Sequence, residues 1–230
     1  MPEATAVRNH FEKISPKYDL ANDCLSFGIH RFWRKQLVAS ALKDQPHAIL
    51  DLATGSGAVA FSLKSKARYP TKIVGLDFCE GMLALAKKEE ALQNLGITFT
   101  LGDCLNLPFE DHSFDAITIA YGLRNLEDRQ QGLREMHRVL KPHTGKLHIL
   151  EFTQPKGWQK PFHRAYQKTF LPTLGKWITG DKDAYEYLSE SIHNFPTIES
   201  IKSELSQAGF KPQLAKHLFS GISALHVAST

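Results

Sequence analysis

The stretch of sequence that decides the fold is residues 48–57, which read Ala-Ile-Leu-Asp-Leu-Ala-Thr-Gly-Ser-Gly. Its first half is a short apolar run of the kind that forms a buried strand, and a glycine-rich loop follows it. Similar strand-like runs recur along the chain at Lys72–Asp77, Ile97–Leu101, Asp115–Ala120 and Lys146–Phe152. Ala48–Leu52 is therefore predicted to be the first strand of a repeating β/α pattern.

Helical sequence separates these strands. Glu80–Leu95 places apolar residues on one side, and Gly96 stands where a helix C-cap is expected. Arg129–Lys141 has similar spacing and is stopped by Pro142. Strands that alternate with helices predict an α/β fold, with a doubly wound, mostly parallel sheet of seven strands and right-handed crossovers.

The end of the chain predicts an antiparallel element. Thr197–Ala208 reads as a helix capped by Gly209, and two strand-like runs follow it at Gln213–Phe219 and Ile222–Ala228. Because so short a gap separates these runs, we expect an antiparallel hairpin at the edge of the sheet.

The composition is that of a globular protein, with 42% hydrophobic and 23% charged residues. No apolar run is long enough to cross a bilayer, and the N-terminus lacks the apolar core of a secretory signal. The 3 cysteines are too scattered for a disulfide framework or a zinc site. We predict one cytoplasmic domain. Its parts are an N-terminal helical cover (1–47), a cofactor-binding core (48–152), a helical insertion (153–196) and a C-terminal helix with a hairpin (197–230).

Three aspartates, Asp51, Asp77 and Asp103, are equally spaced along the chain, about one βα unit apart. Each lies at or just past the carboxyl end of a predicted strand, and in an open parallel sheet those ends share the edge where ligands bind. Carboxylates without a neighbouring lysine or arginine suit a ligand that is cationic or rich in hydrogen-bond donors. S-adenosylmethionine fits, because it carries a sulfonium, an ammonium group, a ribose diol and an adenine amine.

This interpretation assigns a role to each part of the edge. The glycines let the backbone approach the methionine moiety. Asp77 accepts hydrogen bonds from both ribose hydroxyls, Asp103 accepts from the adenine amine, and the backbone N–H of Cys104 faces the adenine ring. The predicted cofactor-binding residues are Asp51, Gly55, Ser56, Gly57, Asp77, Asp103 and Cys104.

The glycine loop also matches the loose G-x-G-x-x-A form of the dinucleotide fingerprint. Gly55–Ala60 reads Gly-Ser-Gly-Ala-Val-Ala, and Asp77 follows at about the required distance. A dinucleotide, however, brings an anionic pyrophosphate to the loop, and Asp51 would repel it. Ala53 and Thr54 also intervene between the strand and the glycines. The methyl donor is the favoured cofactor, and an NAD-dependent dehydrogenase is an alternative.

Several longer stretches are characteristic enough to indicate a protein family. They are Tyr18–Trp33 (YDLANDCLSFGIHRFW), Leu50–Gly57 (LDLATGSG), Gly122–Asn125 (GLRN), Arg138–Pro142 (RVLKP) running through to Leu150–Phe152 (LEF), and Tyr187–Ile192 (YLSESI). Together they resemble the ubiquinone/menaquinone biosynthesis C-methyltransferase family, of the demethylmenaquinone methyltransferase type, over nearly the whole chain. The glycine loop is shared by many methyltransferases. The first and third stretches are far more specific to this family.

The resemblance implies a Rossmann-like class I fold and methyl transfer from S-adenosylmethionine to a ring carbon of demethylmenaquinol, a demethoxyubiquinol, or both. The compact chain favours the naphthoquinol. Ala58 stands where many relatives have an acid, and Ala120 replaces a serine often found there. The cofactor contacts that the resemblance implies fall on Ser56, Asp77, Asp103 and Cys104.

Methylation of a ring carbon needs an ionised neighbouring hydroxyl, and an unperturbed phenol has a pKa of about 10. A guanidinium favours the anion, because it stays charged and donates two hydrogen bonds. We therefore predict that Arg124, just past the fourth strand, is the catalytic residue, which pairs with a substrate oxygen or orients a water that takes the proton. The alternative is an ion pair between Arg124 and Glu127 or Asp128.

The candidate substrate-binding residues are His30, Tyr121 and Asn125. His30 has a suitable pKa range for a base, but it can equally be a packed structural group. Tyr121 either stacks on the substrate ring or belongs to the core. Tyr18 and Asp19 either fold over the cofactor as a lid or cap a helix.

The sequence after the fourth strand also narrows the methyl acceptor. Enzymes that methylate an exocyclic amine typically carry a [DNS]-P-P-[FYW] motif there, whereas Ala120–Asn125 reads AYGLRN. Its absence argues against methylation of nitrogen in nucleic acid or glutamine. A methyltransferase of another small molecule is the second interpretation, and a non-catalytic nucleotide-binding protein of the same fold is the third.

The segment between Phe152 and Asp181 contains no acidic residue. Basic and aromatic residues recur there at Lys156, Trp158, Lys160, Phe162, Arg164, Tyr166, Lys168 and Phe170. On a helix the two series fall on nearly opposite faces. One interpretation is an aromatic face on the core with a solvated basic face. The other is peripheral contact with an anionic membrane at its inner face, where a polyprenylated quinol is admitted. The sequence leaves open whether the chain forms a homodimer.

Overall fold

A seven-stranded sheet forms the centre of the protein. The computed structural model describes residues 23, 28–153, 182–218 and 221–230. The strands are β1 (Ala48–Leu52), β2 (Lys72–Asp77), β3 (Thr98–Leu101), β4 (Ala116–Ala120), β5 (Lys146–Phe152), β6 (Lys211–Leu218) and β7 (Ser223–Ser229). The helices are α1 (Ile29–Ala41), α2 (Ala58–Lys66), α3 (Glu80–Gln93), α4 (Arg129–Val139), α5 (Lys182–His193) and α6 (Ile198–Gln207), with a short 3-10 helix at Leu123–Asn125.

The strands lie in the order β3-β2-β1-β4-β5-β7-β6. Strands β1 to β5 pair in parallel, β7 pairs antiparallel with β5, and β6 pairs antiparallel with β7. The strand order reverses between β1 and β4, and this switch point is where open α/β sheets bind ligands. The order confirms the predicted doubly wound α/β fold with an antiparallel hairpin at one edge.

Apolar side chains cover both faces of the sheet. On one face α1, α2 and α3 contribute Leu37, Leu63 and Leu83 to the core. On the other face α4 and α6 contribute Leu133 and Ile201. Each such buried side chain stabilises the fold by about 2 kcal/mol. The inner strands therefore read as nearly continuous apolar runs, as expected for strands buried on both faces.

The predicted bounds of β1, β2 and β5 are confirmed, whereas β3 and β4 each begin one residue later than predicted. Asp115 directly precedes β4, and its carboxylate binds the chain that enters β1. Its Oδ2 accepts from the backbone N–H groups of His47 at 3.0 Å and Ala48 at 2.8 Å. Asp115 therefore fixes the start of β1.

The predicted C-cap of α3 at Gly96 is wrong, because the helix ends earlier. Asn94 adopts the left-handed conformation (φ 51°), and its N–H donates to the carbonyl of Glu90 at 2.7 Å. Asparagine adopts this conformation more readily than most residues. The Glu90 carboxylate then accepts from the N–H of Gly96 at 2.6 Å, which holds the chain on its way to β3.

The helix α4 ends at Val139 and not at the predicted Lys141. The N–H of Phe114 donates to the carbonyl of Val139 at 3.0 Å, and the N–H of Lys141 donates to the carbonyl of Phe114 at 2.9 Å. These backbone groups pair across a short parallel bridge and not within the helix. The chain therefore leaves the helix before Pro142 could stop it.

The C-terminal helix and hairpin form as predicted. Thr197 caps α6 by accepting from the N–H of Ser200 at 3.2 Å, and Gly209 (φ 94°) follows the helix. Arg129 binds both carboxylate oxygens of Glu204, at 3.0 and 2.9 Å, which joins α4 to α6. The hairpin places β7 inside the sheet and leaves β6 at the edge.

Two predicted regions lie largely outside the described residues. Of the helical cover, Asp23 and residues 28–47 are described, and of the insertion, Thr153 and residues 182–196. Tyr18, Asp19 and the basic and aromatic segment 156–170 fall outside. Within the described ranges, no helix combines the length and the apolar character needed to span a bilayer.

Candidate active site

A cavity opens at the switch point of the sheet. It is bounded by the loop after β1, the end of β2, the turn after β3 and the turn after β4. The residues that line it are Ala53, Gly55, Asp77, Phe78, Met82, Asp103, Cys104, Leu105, Ala120, Tyr121, Gly122, Asn125, Leu126 and Glu127. The predicted cofactor residues among them are Gly55, Asp77, Asp103 and Cys104.

The loop after β1 follows a left-handed path. Ala53, Gly55 and Gly57 have φ values of 48°, 56° and 84°. Packing adds a second reason for glycine at Gly57, since an added Cβ would lie 2.7 Å from the ring of Phe61 and 2.9 Å from the ring of Phe99. The loop therefore combines an unusual backbone conformation with close packing on the sheet.

Asp51 lies beneath this loop and is not among the lining residues. It is 1% exposed, and its two carboxylate oxygens accept from the hydroxyls of Thr54 and Thr118, each at 2.6 Å. Burial raises the pKa of Asp51 to about 6, against the lowering effect of these hydroxyls. The predicted contact of Asp51 with the cofactor stays a prediction. In the structure Asp51 ties the loop to β4.

Asp77 ends β2 in the cavity wall. Its Oδ2 accepts from the N–H of Gly55 at 2.7 Å, and its Oδ1 accepts from the N–H of Cys79 at 2.9 Å. A carboxylate accepts up to about four hydrogen bonds, so Asp77 keeps capacity for a ligand. Burial raises the pKa of Asp77. The contact with the ribose hydroxyls stays a prediction, and the position of Asp77 is compatible with it.

Asp103 and Cys104 form the turn after β3. The Oδ1 of Asp103 accepts from the N–H of Leu105 at 2.9 Å, which closes the turn. Burial raises the pKa of the Cys104 thiol to about 12, and the charges of Asp77 and Asp103 add to the rise. The thiol therefore stays protonated at neutral pH, and Cys104 contributes an apolar surface and no nucleophile.

The charge of the cavity wall is negative. Asp77, Asp103 and Glu127 lie among the described lining residues, and none of these residues is a lysine or an arginine. Such a wall attracts a sulfonium and repels a pyrophosphate, so the residues fit S-adenosylmethionine better than a dinucleotide. The sequence predicts Glu127 only as a partner for Arg124, and its place in the wall has no sequence signal of its own.

The turn after β4 forms a second wall. Tyr121 has a left-handed backbone (φ 57°), which is rare for an aromatic residue and typical of functional sites. Its ring lies 4.6 Å from that of Phe152 and 6.5 Å from that of Trp33, between centroids. An added Cβ at Gly122 would lie 2.5 Å from the Cβ of Ala53, so the turn contacts the loop after β1. Tyr121 thus belongs to both core and cavity wall.

Arg124 is buried behind this turn, and its ion-pair partner is Glu151. The Nη1 of Arg124 donates to Glu151 Oε1 at 2.8 Å and also to the carbonyl of Tyr121. The backbone N–H of Arg124 donates to Glu151 Oε2 at 3.2 Å. The predicted alternative pairing with Glu127 or Asp128 is therefore wrong. Glu151 lies at the end of β5, the strand next to β4, and sequence reasoning missed it.

The predicted position of Arg124, facing the methyl-transfer centre, is not confirmed. Arg124 is 8% exposed and is not among the residues that line the described cavity. Its Nε is buried and has no hydrogen-bond partner among the described residues. A buried donor without a partner is rare in folded proteins. The Nε–H thus has no described partner, and the catalytic role of Arg124 stays a prediction.

Asn125 lines the cavity and contacts Tyr187 of α5. The hydroxyl of Tyr187 donates to Asn125 Oδ1 at 3.0 Å, and Asn125 Nδ2 lies 3.4 Å from the carbonyl of Tyr121. Tyr187 belongs to a stretch that resembles the methyltransferase family, but the sequence alone does not indicate which residue it hydrogen-bonds. Only the fold brings it to the predicted substrate-binding residue.

His30 lies outside this cavity. It is buried on α1, and its Nε2 lies 3.5 Å from Asp23 Oδ1. The same aspartate binds the guanidinium of Arg31, which lowers the pKa of Asp23. This packing agrees with the structural interpretation of His30, and its contact with a substrate stays a prediction.

The fold has a counterpart among solved structures. A SAM dependent methyltransferase from Aquifex aeolicus superposes with a TM-score of 0.58 at 17% identity, over 79% of this chain and 81% of that chain. At this identity the likeness shows the fold alone. The chain therefore has the fold of the S-adenosylmethionine-dependent methyltransferases, and its acidic wall lies at the switch point of that fold.

The chain belongs to the ubiE/COQ5 methyltransferase family, whose sequence profile matches residues 2–230. It is 44% identical over 218 residues to the demethylmenaquinone methyltransferase of Thermus thermophilus, which covers 94% of this chain and 98% of that protein. It is 42% identical over 228 residues to the ubiquinone/menaquinone biosynthesis C-methyltransferase UbiE of Rickettsia felis, covering 96% and 91%. The predicted family and the predicted cofactor are confirmed.

Replacing Gly57 with alanine tests the packing of the glycine loop. The new Cβ would meet Phe61 and Phe99, so the loop must shift, and we expect the Kd for S-adenosylhomocysteine to rise about tenfold. Gly96→Ala is the matched control, because Gly96 has a similar φ (75°) but open space around an added Cβ. Calorimetric titration of both variants checks the result. Equal affinities in the two variants would contradict this account of the loop.

Proposed function

We propose that this enzyme transfers the methyl group of S-adenosylmethionine to a ring carbon of a polyprenylated quinol. The observation that carries the proposal is the acidic cavity wall at the switch point, beside the turn that holds Tyr121 and Asn125. Two relatives support the choice of acceptor, since one is named a demethylmenaquinone methyltransferase and the other a ubiquinone/menaquinone biosynthesis C-methyltransferase. Demethylmenaquinol is the acceptor we expect first, and a demethoxyubiquinol second.

The carboxylates of the wall would hold the cofactor. When bound, S-adenosylmethionine supplies an electrophilic methyl group on a positively charged sulfur. Asp77 would accept from the ribose hydroxyls and Asp103 from the adenine amine. The loop Gly55–Gly57 would follow the methionine moiety, and Asp51 would hold that loop in place through its two threonines. A wall without a described lysine or arginine favours this cation over the pyrophosphate of NAD.

The turn after β4 would hold the acceptor. A quinol ring carbon becomes nucleophilic when the neighbouring hydroxyl ionises, and Arg124 is the group that would favour the anion. A guanidinium donates hydrogen bonds in a fixed planar arrangement, and the buried Nε–H of Arg124 has no described partner. Glu151 fixes Nη1. The Nε–H would then be left to donate to a substrate oxygen, or to a water that takes the proton. Asn125 would bind a second acceptor oxygen, with Tyr121 beside it.

We extend the proposal to the membrane surface, because a polyprenyl tail partitions into lipid. The support is the sequence of segment 156–176, in which basic residues recur without an acidic one. Such a segment is attracted to anionic lipid by about 1 kcal/mol per basic residue near the surface. Equal sedimentation with anionic and neutral vesicles would contradict this part of the proposal.

Radiolabelled methyl donor tests the reaction directly. We expect label in the product when chemically reduced demethylnaphthoquinol is supplied, and none with the oxidised quinone, because only the quinol has an ionisable hydroxyl. The same assay with a demethoxybenzoquinol analogue shows which of the two rings the enzyme methylates. Calorimetry on the same protein should detect S-adenosylhomocysteine and no NADH. Binding of NADH alone, or label in neither quinol, would refute the proposed function.

Arg124→Lys tests the guanidinium while keeping a positive charge beside Glu151. The substitution removes the Nε–H, so we expect kcat with the quinol to fall about tenfold and the pH optimum to move upward, towards the phenol pKa of about 10. Arg129→Lys, which changes the ion pair with Glu204, is the matched control and should stay within about twofold of wild type. A pH–rate profile of both variants checks this. Wild-type turnover in Arg124→Lys would remove the catalytic role.

A further inference from the structure

Asn125 has a single amide orientation in the cavity wall. Its Nδ2 lies 3.4 Å from the carbonyl of Tyr121, and its Oδ1 lies 3.0 Å from the hydroxyl of Tyr187. A backbone carbonyl only accepts hydrogen bonds, so the nitrogen must face Tyr121 and the oxygen must face Tyr187. Beyond these two described contacts, the amide keeps one N–H and one lone pair for a ligand.

Tyr187 reaches Asn125 because α5 packs against the 3-10 helix that follows β4. The phenol is partly buried, and burial raises the pKa of Tyr187. Its hydroxyl therefore remains a hydrogen-bond donor at neutral pH. The nearby charge of Glu151 adds to the rise of this pKa, and the charge of Arg124 opposes it.

We infer that Tyr187 is a positioning residue for the methyl acceptor, because it fixes the amide of Asn125 whose remaining N–H binds an acceptor oxygen. The inference rests on the proposed quinol methylation. Tyr187 is not among the described residues that line the cavity, so it acts through Asn125 and not on the acceptor itself. Through this one hydroxyl, α5 takes part in orienting the acceptor ring.

The hydroxyl also links two groups that the acceptor needs. Arg124 and Asn125 are adjacent in the 3-10 helix, and both donate towards the carbonyl of Tyr121. Glu151 fixes the first side chain, and Tyr187 fixes the second. If the amide of Asn125 turned, its donor would move relative to Arg124, and the acceptor ring would lose one of its two fixed contacts.

Tyr187→Phe removes the hydroxyl and keeps the ring. In the radiolabel assay we expect kcat/KM for the quinol to fall about tenfold, while the Kd for S-adenosylhomocysteine stays within about twofold. Tyr69→Phe is the matched control. The hydroxyl of Tyr69 donates to the carbonyl of Leu42 at 3.1 Å, outside the cavity wall, so this variant also loses one phenol hydrogen bond but should keep wild-type kinetics.

A double-mutant cycle separates positioning from a general effect on folding. On an Asn125→Ala background, Tyr187→Phe should change kcat/KM by less than about twofold, because the amide it positions is gone. If the effects of the two substitutions on kcat/KM are fully additive, the inference is overturned. It is also overturned if Tyr187→Phe weakens cofactor binding as much as it lowers kcat/KM. If the wild type is active and Tyr187→Phe is equally active, the inference about Tyr187 is refuted and the proposed function is not. A wild type that methylates no quinol refutes the proposed function itself.

Discussion

The site depends on the two hydrogen bonds that the buried carboxylate of Asp51 accepts. Its oxygens are shared between Thr54 in the loop after β1 and Thr118 in β4, so a single side chain joins the elements on either side of the switch point. Hydrogen bonds to a charged group contribute about 1.5–3 kcal/mol each. They offset the strain at Ala53, which has a Cβ and yet adopts a positive φ of 48°.

Two further carboxylates hold loops along the edge of the sheet. Asp77 at the end of β2 holds the N–H of Gly55 in the loop after β1, and Glu151 at the end of β5 holds Arg124 after β4. In each case a strand-end carboxylate holds the loop of the neighbouring strand. A buried ion pair such as Arg124–Glu151 adds little net stability, because desolvation costs about as much as the attraction gains. Its contribution is the geometry of the turn.

Sequence reasoning recovers the sheet because alternation and spacing are local properties. It also recovers Asp77 and Asp103, since both acids follow strands whose ends share one edge. It leaves the orientation of Asp51 open, because a strand-end acid looks the same whether its side chain faces a cavity or buried threonines. The contacts of Arg124 with Glu151 and of Asn125 with Tyr187 join residues 27 and 62 positions apart. No periodicity encodes such pairs, and they follow only from folding.

The site places its negative and its positive side chains in different positions. In the proposed reaction a cationic donor and an anionic acceptor ring must meet, so the protein needs negative charge near one and positive character near the other. The acids line the cavity, and Arg124 lies behind the turn with its charge already balanced by Glu151. A balanced guanidinium repels the sulfonium little, yet its N–H groups remain directional donors. Glu151 therefore allows a cation to lie close to a cationic cofactor, which an unpaired arginine in the cavity wall would oppose.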